Sequence, residues 1–86
     1  MKSYLSELKV SDVRRLLEQV NLHSYVNIFE DNGVDGPTLM NCRNVDDVME
    51  LGIPIRTKAR KLFNLITDLK EFAMMAEVRL LHVYFN

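Results

Sequence analysis

The sequence is poor in the residues that carry most chemistry. Its 86 residues include one cysteine, Cys42, two histidines, His23 and His82, and no tryptophan. A single thiol closes no internal disulfide, and two histidines far apart in the chain offer no metal-ligand spacing. Cys42 reads as a small apolar residue, buried or half-buried, and His23 as a surface residue in a turn. A lone free thiol fits a reducing compartment, so a cytoplasmic setting is expected, with the nucleus as the other choice. No cofactor or metal is expected.

Other absences narrow the class further. No apolar run approaches the roughly 20 residues that span a bilayer. Met1 to Val10 contains Lys2, Glu7 and Lys9, which breaks up any signal-peptide apolar core. The net charge of -1 leaves no global basic excess to hold nucleic acid or an anionic membrane. There is no nucleophile motif, no glycine-rich phosphate loop and no His-x-x-x-His pair, so no catalytic constellation can be assembled. Glycine and proline are scarce, at three and two. Few breakers beside abundant Leu, Lys, Glu and Arg favour helices over strands.

What is present reads as five helical segments. Ser11 is the expected cap of the first, with Asp12 in its first turn. Val13, Leu16, Leu17 and Val20 then fall on one face, and Asn21 ends the segment. Ser24 is the expected cap of a short second helix carrying Tyr25, Ile28 and Phe29. Asp31-Asn32-Gly33 signals a turn, and Val34 reads as an isolated plug into the core. Gly36-Pro37 reads as cap and first position of a third helical turn with Leu39 and Met40. Asn44 caps a fourth helix with Asp46 and Asp47 in its first turn and Val45, Val48 and Met49 on its apolar side. Gly52 sits where a helix-ending residue belongs, and Ile53 before Pro54 is extended.

The fifth helix is predicted to be the longest, since no glycine or proline follows Ile55. Ala59, Leu62, Ile66, Leu69, Ala73, Ala76, Leu80 and Val83 alternate steps of three and four, an a/d seam. The predicted core is Val13, Leu16, Leu17, Val20, Leu22, Tyr25, Phe29, Val34, Leu39, Val48, Leu51, Ile53, Leu62, Ile66 and Leu69. The expected class is all-α, a five-helix bundle with its longest helix last.

Charge is unevenly spread. Residues 30–50 hold Glu30, Asp31, Asp35, Asp46, Asp47 and Glu50 against one base, Arg43. Residues 56–61 hold Arg56, Lys58, Arg60 and Lys61 with no acid. These cations begin a helix, where the dipole disfavours positive charge by roughly 0.3–1 kcal/mol per residue. A solvated helix face is the plain explanation, and a binding patch the functional one. With the core stripe at Ala59, Leu62 and Ile66, Thr57, Arg60 and Lys61 turn outward and Lys58 lies at the boundary.

An ordered string of short blocks resembles the sterile alpha motif (SAM) family from Leu8 to Phe72, about three quarters of the chain. The blocks are Leu8-Lys9-Val10-Ser11-Asp12-Val13, Leu16-Leu17, Asn21-Leu22-His23-Ser24-Tyr25 and Phe29 through Gly36. Leu39-Met40, Asp47 through Ile53 and Lys58 through Phe63 follow in the family's order and spacing. Leu8 departs from the family's usual aromatic, and Thr57 stands where glycine is common.

The resemblance implies a five-helix SAM-like bundle over 8–72, with residues 1–7 as an N-terminal flank and 73–86 as an apolar helical extension. It implies a protein-interaction module, not an enzyme, within a larger signalling or scaffold protein, binding itself or another SAM domain and forming homo-oligomers. Carried over by position, one mating surface is Glu30, Asp31, Asp35, Asp46, Asp47 and Glu50. The other is Pro54, Ile55, Arg56, Thr57, Lys58, Arg60 and Lys61. The alternative is RNA-hairpin binding by the same cations at the start of the last helix. Beyond the domain, Ala73, Ala76, Leu80 and Val83 extend the seam and suit a helix self-contact, because alanines let two helices approach closely.

Overall fold

A computed structural model of the chain describes the backbone of residues 5–85 and the side chains of residues 5–71. Within them the chain is all-helical: α1 Val10–Gln19, α2 Val26–Asp31, α3 Gly36–Met40, α4 Val45–Glu50 and α5 Arg56–Phe85. Short 3₁₀ turns at Leu5–Glu7 and His23–Tyr25 precede α1 and α2. The five-helix expectation, with the longest helix last, holds. At 30 residues, α5 spans about 45 Å at the usual rise per residue.

The caps differ in part from those expected. The first helix opens two residues early, and Lys9, not Ser11, occupies the cap position. Its backbone N–H donates to the Asp12 carboxylate at 2.9 Å. An acid three residues after the cap satisfies a free N–H there, and no serine hydroxyl is needed. Ser24 does not cap α2: it lies inside the His23–Tyr25 turn, and no side-chain cap bonds the start of α2. The 3₁₀ turn feeds directly into α2, so the preceding turn supplies that start. The α3 cap is Asp35, not Gly36. Its carboxylate accepts from the Thr38 backbone N–H at 3.0 Å and from the Thr38 hydroxyl at 2.7 Å. Asn44 caps α4 as expected, accepting from the Asp47 N–H at 2.9 Å.

Gly36 is needed for another reason. A Cβ there would run into the Leu5 carbonyl oxygen, and the Gly36 N–H donates to the Leu8 carbonyl at 2.9 Å. The N-terminal 3₁₀ turn is thereby seated directly on α3, which it packs against together with α5. Leu5, from the expected flank, is completely buried, and Leu8 is buried beside it.

The core follows the periodicities closely. Val13, Leu16, Leu17, Leu22, Phe29, Val34, Leu39, Val48, Ile53, Leu62 and Ile66 are buried. Val20, Tyr25, Leu51 and Leu69 were expected inside but are only half-buried at its margin. Each sits near a helix end or at the edge of an apolar face, where neighbouring elements cover one side only. Leu5, Leu8, Val26, Cys42 and Ala59 join the core instead. In α2 the inward pair is Val26 and Phe29, while Ile28 is turned out. No buried side-chain nitrogen or oxygen among the described residues lacks a partner.

Candidate functional site

The α4–α5 turn positions the basic residues. Helix α4 ends at Glu50, and Gly52, with φ of 128°, turns the chain into extended Ile53-Pro54. That φ favours glycine. Ile53 is buried as an anchor, and the Ile55 carbonyl accepts the Lys58 and Ala59 N–H groups at 3.0 and 2.9 Å to open α5. With Ala59, Leu62 and Ile66 buried, the other side of the first turns faces solvent. Pro54, Ile55, Arg56, Thr57, Lys58, Arg60 and Lys61 are all exposed. The first turn of α5 contains no acidic residue, so the positive end of the helix dipole adds to these cations.

Two of the four cations have an intrachain partner among the described residues. Arg56 donates to Asp46 at 2.6 Å, both side chains being more than half exposed. Lys58 holds its ammonium 5.7 Å from the centroid of the Tyr25 ring, a weak attraction worth about 0.5–1 kcal/mol at an exposed site. Arg60 and Lys61 have no ion pair among the described residues.

The acidic residues are more committed to the fold. Asp35 caps α3. Asp47 accepts the Arg43 backbone N–H at 2.8 Å. Glu30 pairs with Arg14 of α1 at 3.0 Å, and Asp46 pairs with Arg56. Asp31 and Glu50 are exposed and have no ion pair among the described residues. The Thr38 hydroxyl and backbone N–H hold the Asp35 carboxyl below its ordinary value of 3.8. A depressed folded-state value means that the cap's contribution is full above pH 3.8 and fades as pH falls through the folded value.

Cys42 is buried, and its Sγ lies 3.7 Å from the Thr38 carbonyl. Burial, reinforced by Asp47, pushes the thiol above its ordinary 9.0. A thiol so placed is a packing residue at neutral pH. His23 is exposed, as expected. Among the described residues no cluster of His, Cys, Asp or Glu is arranged to hold a metal, and no helix is long and apolar enough to cross a membrane. Ala73, Ala76, Leu80 and Val83 lie on the helical backbone of α5, but their side chains fall outside those described.

Sequence reasoning missed two features of this site. The Arg56–Asp46 pair joins the two charged sets at one edge, a contact across the α4–α5 turn that no local periodicity reveals. The α2 side of the site, with Tyr25 under Lys58 and Ile28 against Gly52, also went unread. Its only sequence signal was an isoleucine two positions from the inward-facing Val26, about 200° around a helix of 3.6 residues per turn.

A family model for the SAM domain (sterile alpha motif) matches residues 5–70. The chain belongs to the sterile alpha motif family. The match begins at Leu5, the buried residue of the first 3₁₀ turn, and ends within α5, fifteen residues before Phe85. SAM domains are protein-interaction modules, generally without enzymatic activity, and this chain is one of them. No curated protein and no solved structure gives a significant match to the chain.

Proposed function

We propose that this SAM domain associates with itself head to tail, the basic start of α5 on one copy meeting the acidic middle helices of the next. One observation carries the reading. The cations of α5 stand exposed at the end of a helix whose dipole opposes them, and they cap nothing. Fold stability does not account for their position, whereas recognition of carboxylates does. The acidic partner set is Glu30, Asp31, Asp35, Asp46, Asp47 and Glu50, with Asp31 and Glu50 the members free of capping or pairing in the described residues. Individual exposed ion pairs contribute only about 0–1 kcal/mol, so an apolar contact must assist them, and Ile55 supplies one.

The setting that suits such a module is a signalling or scaffold protein in the cytoplasm. The seam of Ala73, Ala76, Leu80 and Val83, read from the sequence, offers a second self-contact through the C-terminal extension. Truncation after Phe72 is then expected to leave the bundle folded and lower the oligomer's mass.

Light scattering across concentration and salt tests the main reading. The parent chain is expected to grow in mass with concentration and to shrink as salt rises. Lys58→Glu and Asp31→Lys are each expected to block growth, and mixing the two to restore one heterodimeric contact. Asp31 is a better probe than Asp47 because it caps nothing. Single variants that assemble like the parent would sink the idea, as would a parent that stays monomeric throughout. An RNA hairpin is the competing ligand for the same cations. Hairpin binding by a monomeric parent, steeply weakened by salt, would decide for it.

A further inference from the structure

The large hydrophobic side chains exposed among the described residues are two, Ile28 at 41% and Ile55 at 45%. Ile28 lies in α2 and Ile55 immediately precedes α5, yet both flank one short segment. The outer atoms of Ile28 lie against Gly52, so close that a Cβ there would meet its Cδ1 at 3.0 Å. Ile55 follows three residues later, within about 11 Å along the chain at full extension. Two further contacts, from the residues that flank α2, reach the same segment. The Asn32 side-chain amide donates to the Leu51 carbonyl at 3.1 Å, and the Lys58 ammonium sits over the Tyr25 ring. Residues 25, 28 and 32 are spaced as one helical face. That face runs antiparallel to 51–58: Tyr25 meets Lys58, Ile28 meets Gly52 and Asn32 meets Leu51.

We infer that the basic mating surface is a composite of α2 and α5, in which Ile28 is a second apolar anchor beside Ile55 and the occupant is the acidic surface of a second copy. The inference rests on the head-to-tail reading and deepens it. Charge selects the occupant. Arg56 and Lys58 flank Ile55 in sequence and Lys58 sits over Tyr25, three residues before Ile28, while the same chain presents Asp31 and Glu50 exposed on its middle helices. An apolar centre with a charged border is the arrangement by which interfaces gain affinity from the centre and register from the rim. Gly52 has two roles: its φ turns the chain, and its missing side chain lets Ile28 lie flat beside the turn.

The test uses the whole chain and reads self-association by sedimentation velocity. Ile28→Asp and Ile55→Asp are each expected to weaken association about tenfold or more, equivalent to about 1.4 kcal/mol. Ile28→Ala is expected to weaken it less, in the same direction. Circular dichroism and thermal unfolding check that each variant is folded, with Ile28→Ala as the gentler probe if the aspartate is not. If Ile55→Asp and Lys58→Glu weaken association while Ile28→Asp and Ile28→Ala leave it unchanged, the composite surface is wrong and the head-to-tail reading survives. If none of the four has an effect, both fail.

Discussion

The acidic middle helices and the basic start of α5 carry opposite charge, but they spend it differently. In the middle helices most carboxylates do local work. Asp35 and Asp47 satisfy backbone N–H groups around short helices, and Glu30 is held by Arg14. Helices of five and six residues cannot sustain themselves by propagation, so their ends must be tied. At the start of α5 the long helix is secured by buried Ala59, Leu62 and Ile66. Its exposed cations have little structural duty. Clustered charge is therefore weak grounds for function where short helices need caps, and stronger grounds where a long helix does not.

If that contrast is right, changes in the middle helices should cost stability, and changes at the start of α5 should weaken association without costing stability. The largest effect is expected from Gly36→Ala. Its methyl group would collide with backbone, the Leu5 carbonyl, and not with a side chain that can swing away. Overpacking typically costs about 1–3 kcal/mol, and a rigid neighbour places this case at the upper end. Urea unfolding should show a lower midpoint with the slope unchanged. A loss under about 0.5 kcal/mol would show that the N-terminal turn is loosely seated. Asn44→Ala comes next, with an expected loss of about 1 kcal/mol from the cap of α4. A loss of nothing would mean that Asp47 and its bond to the Arg43 N–H carry that end alone.

The bundle itself was legible in the sequence to a high degree, and the reasons are physical. Val13, Leu16 and Leu17 had to share a face, and Pro54 had to precede a new helix. The caps were less legible, because Asp35, Gly36 and Pro37 each offer a plausible helix start, and only the placement of the Leu5 carbonyl makes Gly36 a close-approach position. Choosing between Val26 and Ile28 as the inward residue of α2 was beyond local pattern as well. With six residues, α2 has under two turns in which to display a period. The two charged sets were visible residue by residue. Which charges were already occupied was not, since Arg14–Glu30 and Arg56–Asp46 are contacts between elements.

A substitution at Thr57 sharpens the contrast by separating the two effects in sign. Thr57 is exposed in the first turn of α5, where no acid now stands. Thr57→Glu places a negative charge at the positive end of the dipole, so stability is expected to rise by about 0.3–1 kcal/mol. The same charge lies among the cations proposed to receive carboxylates, so association is expected to weaken. Thermal unfolding of dilute protein measures the first effect, and light scattering at high concentration the second. A variant that is both more stable and more associated would break the division between charges that serve the fold and charges that serve a partner.

The smallest effect belongs to the pair that crosses the division. Arg56 and Asp46 meet at 2.6 Å, yet their side chains are 54% and 66% exposed. At such exposure water screens most of the attraction, and two flexible side chains lose freedom to hold one geometry. A double-mutant cycle with Asp46→Asn, Arg56→Gln and the double variant should therefore give a coupling of about 0.2–0.5 kcal/mol. That coupling should shrink further in 1 M salt, where the screening length falls to about 3 Å. A coupling above about 1 kcal/mol that survives salt would show that the α4–α5 turn is clamped by this bond. Arg56 would then belong with Asp35 and Asp47 among charges committed to the fold, leaving Lys58, Arg60 and Lys61 as the cations available for a partner.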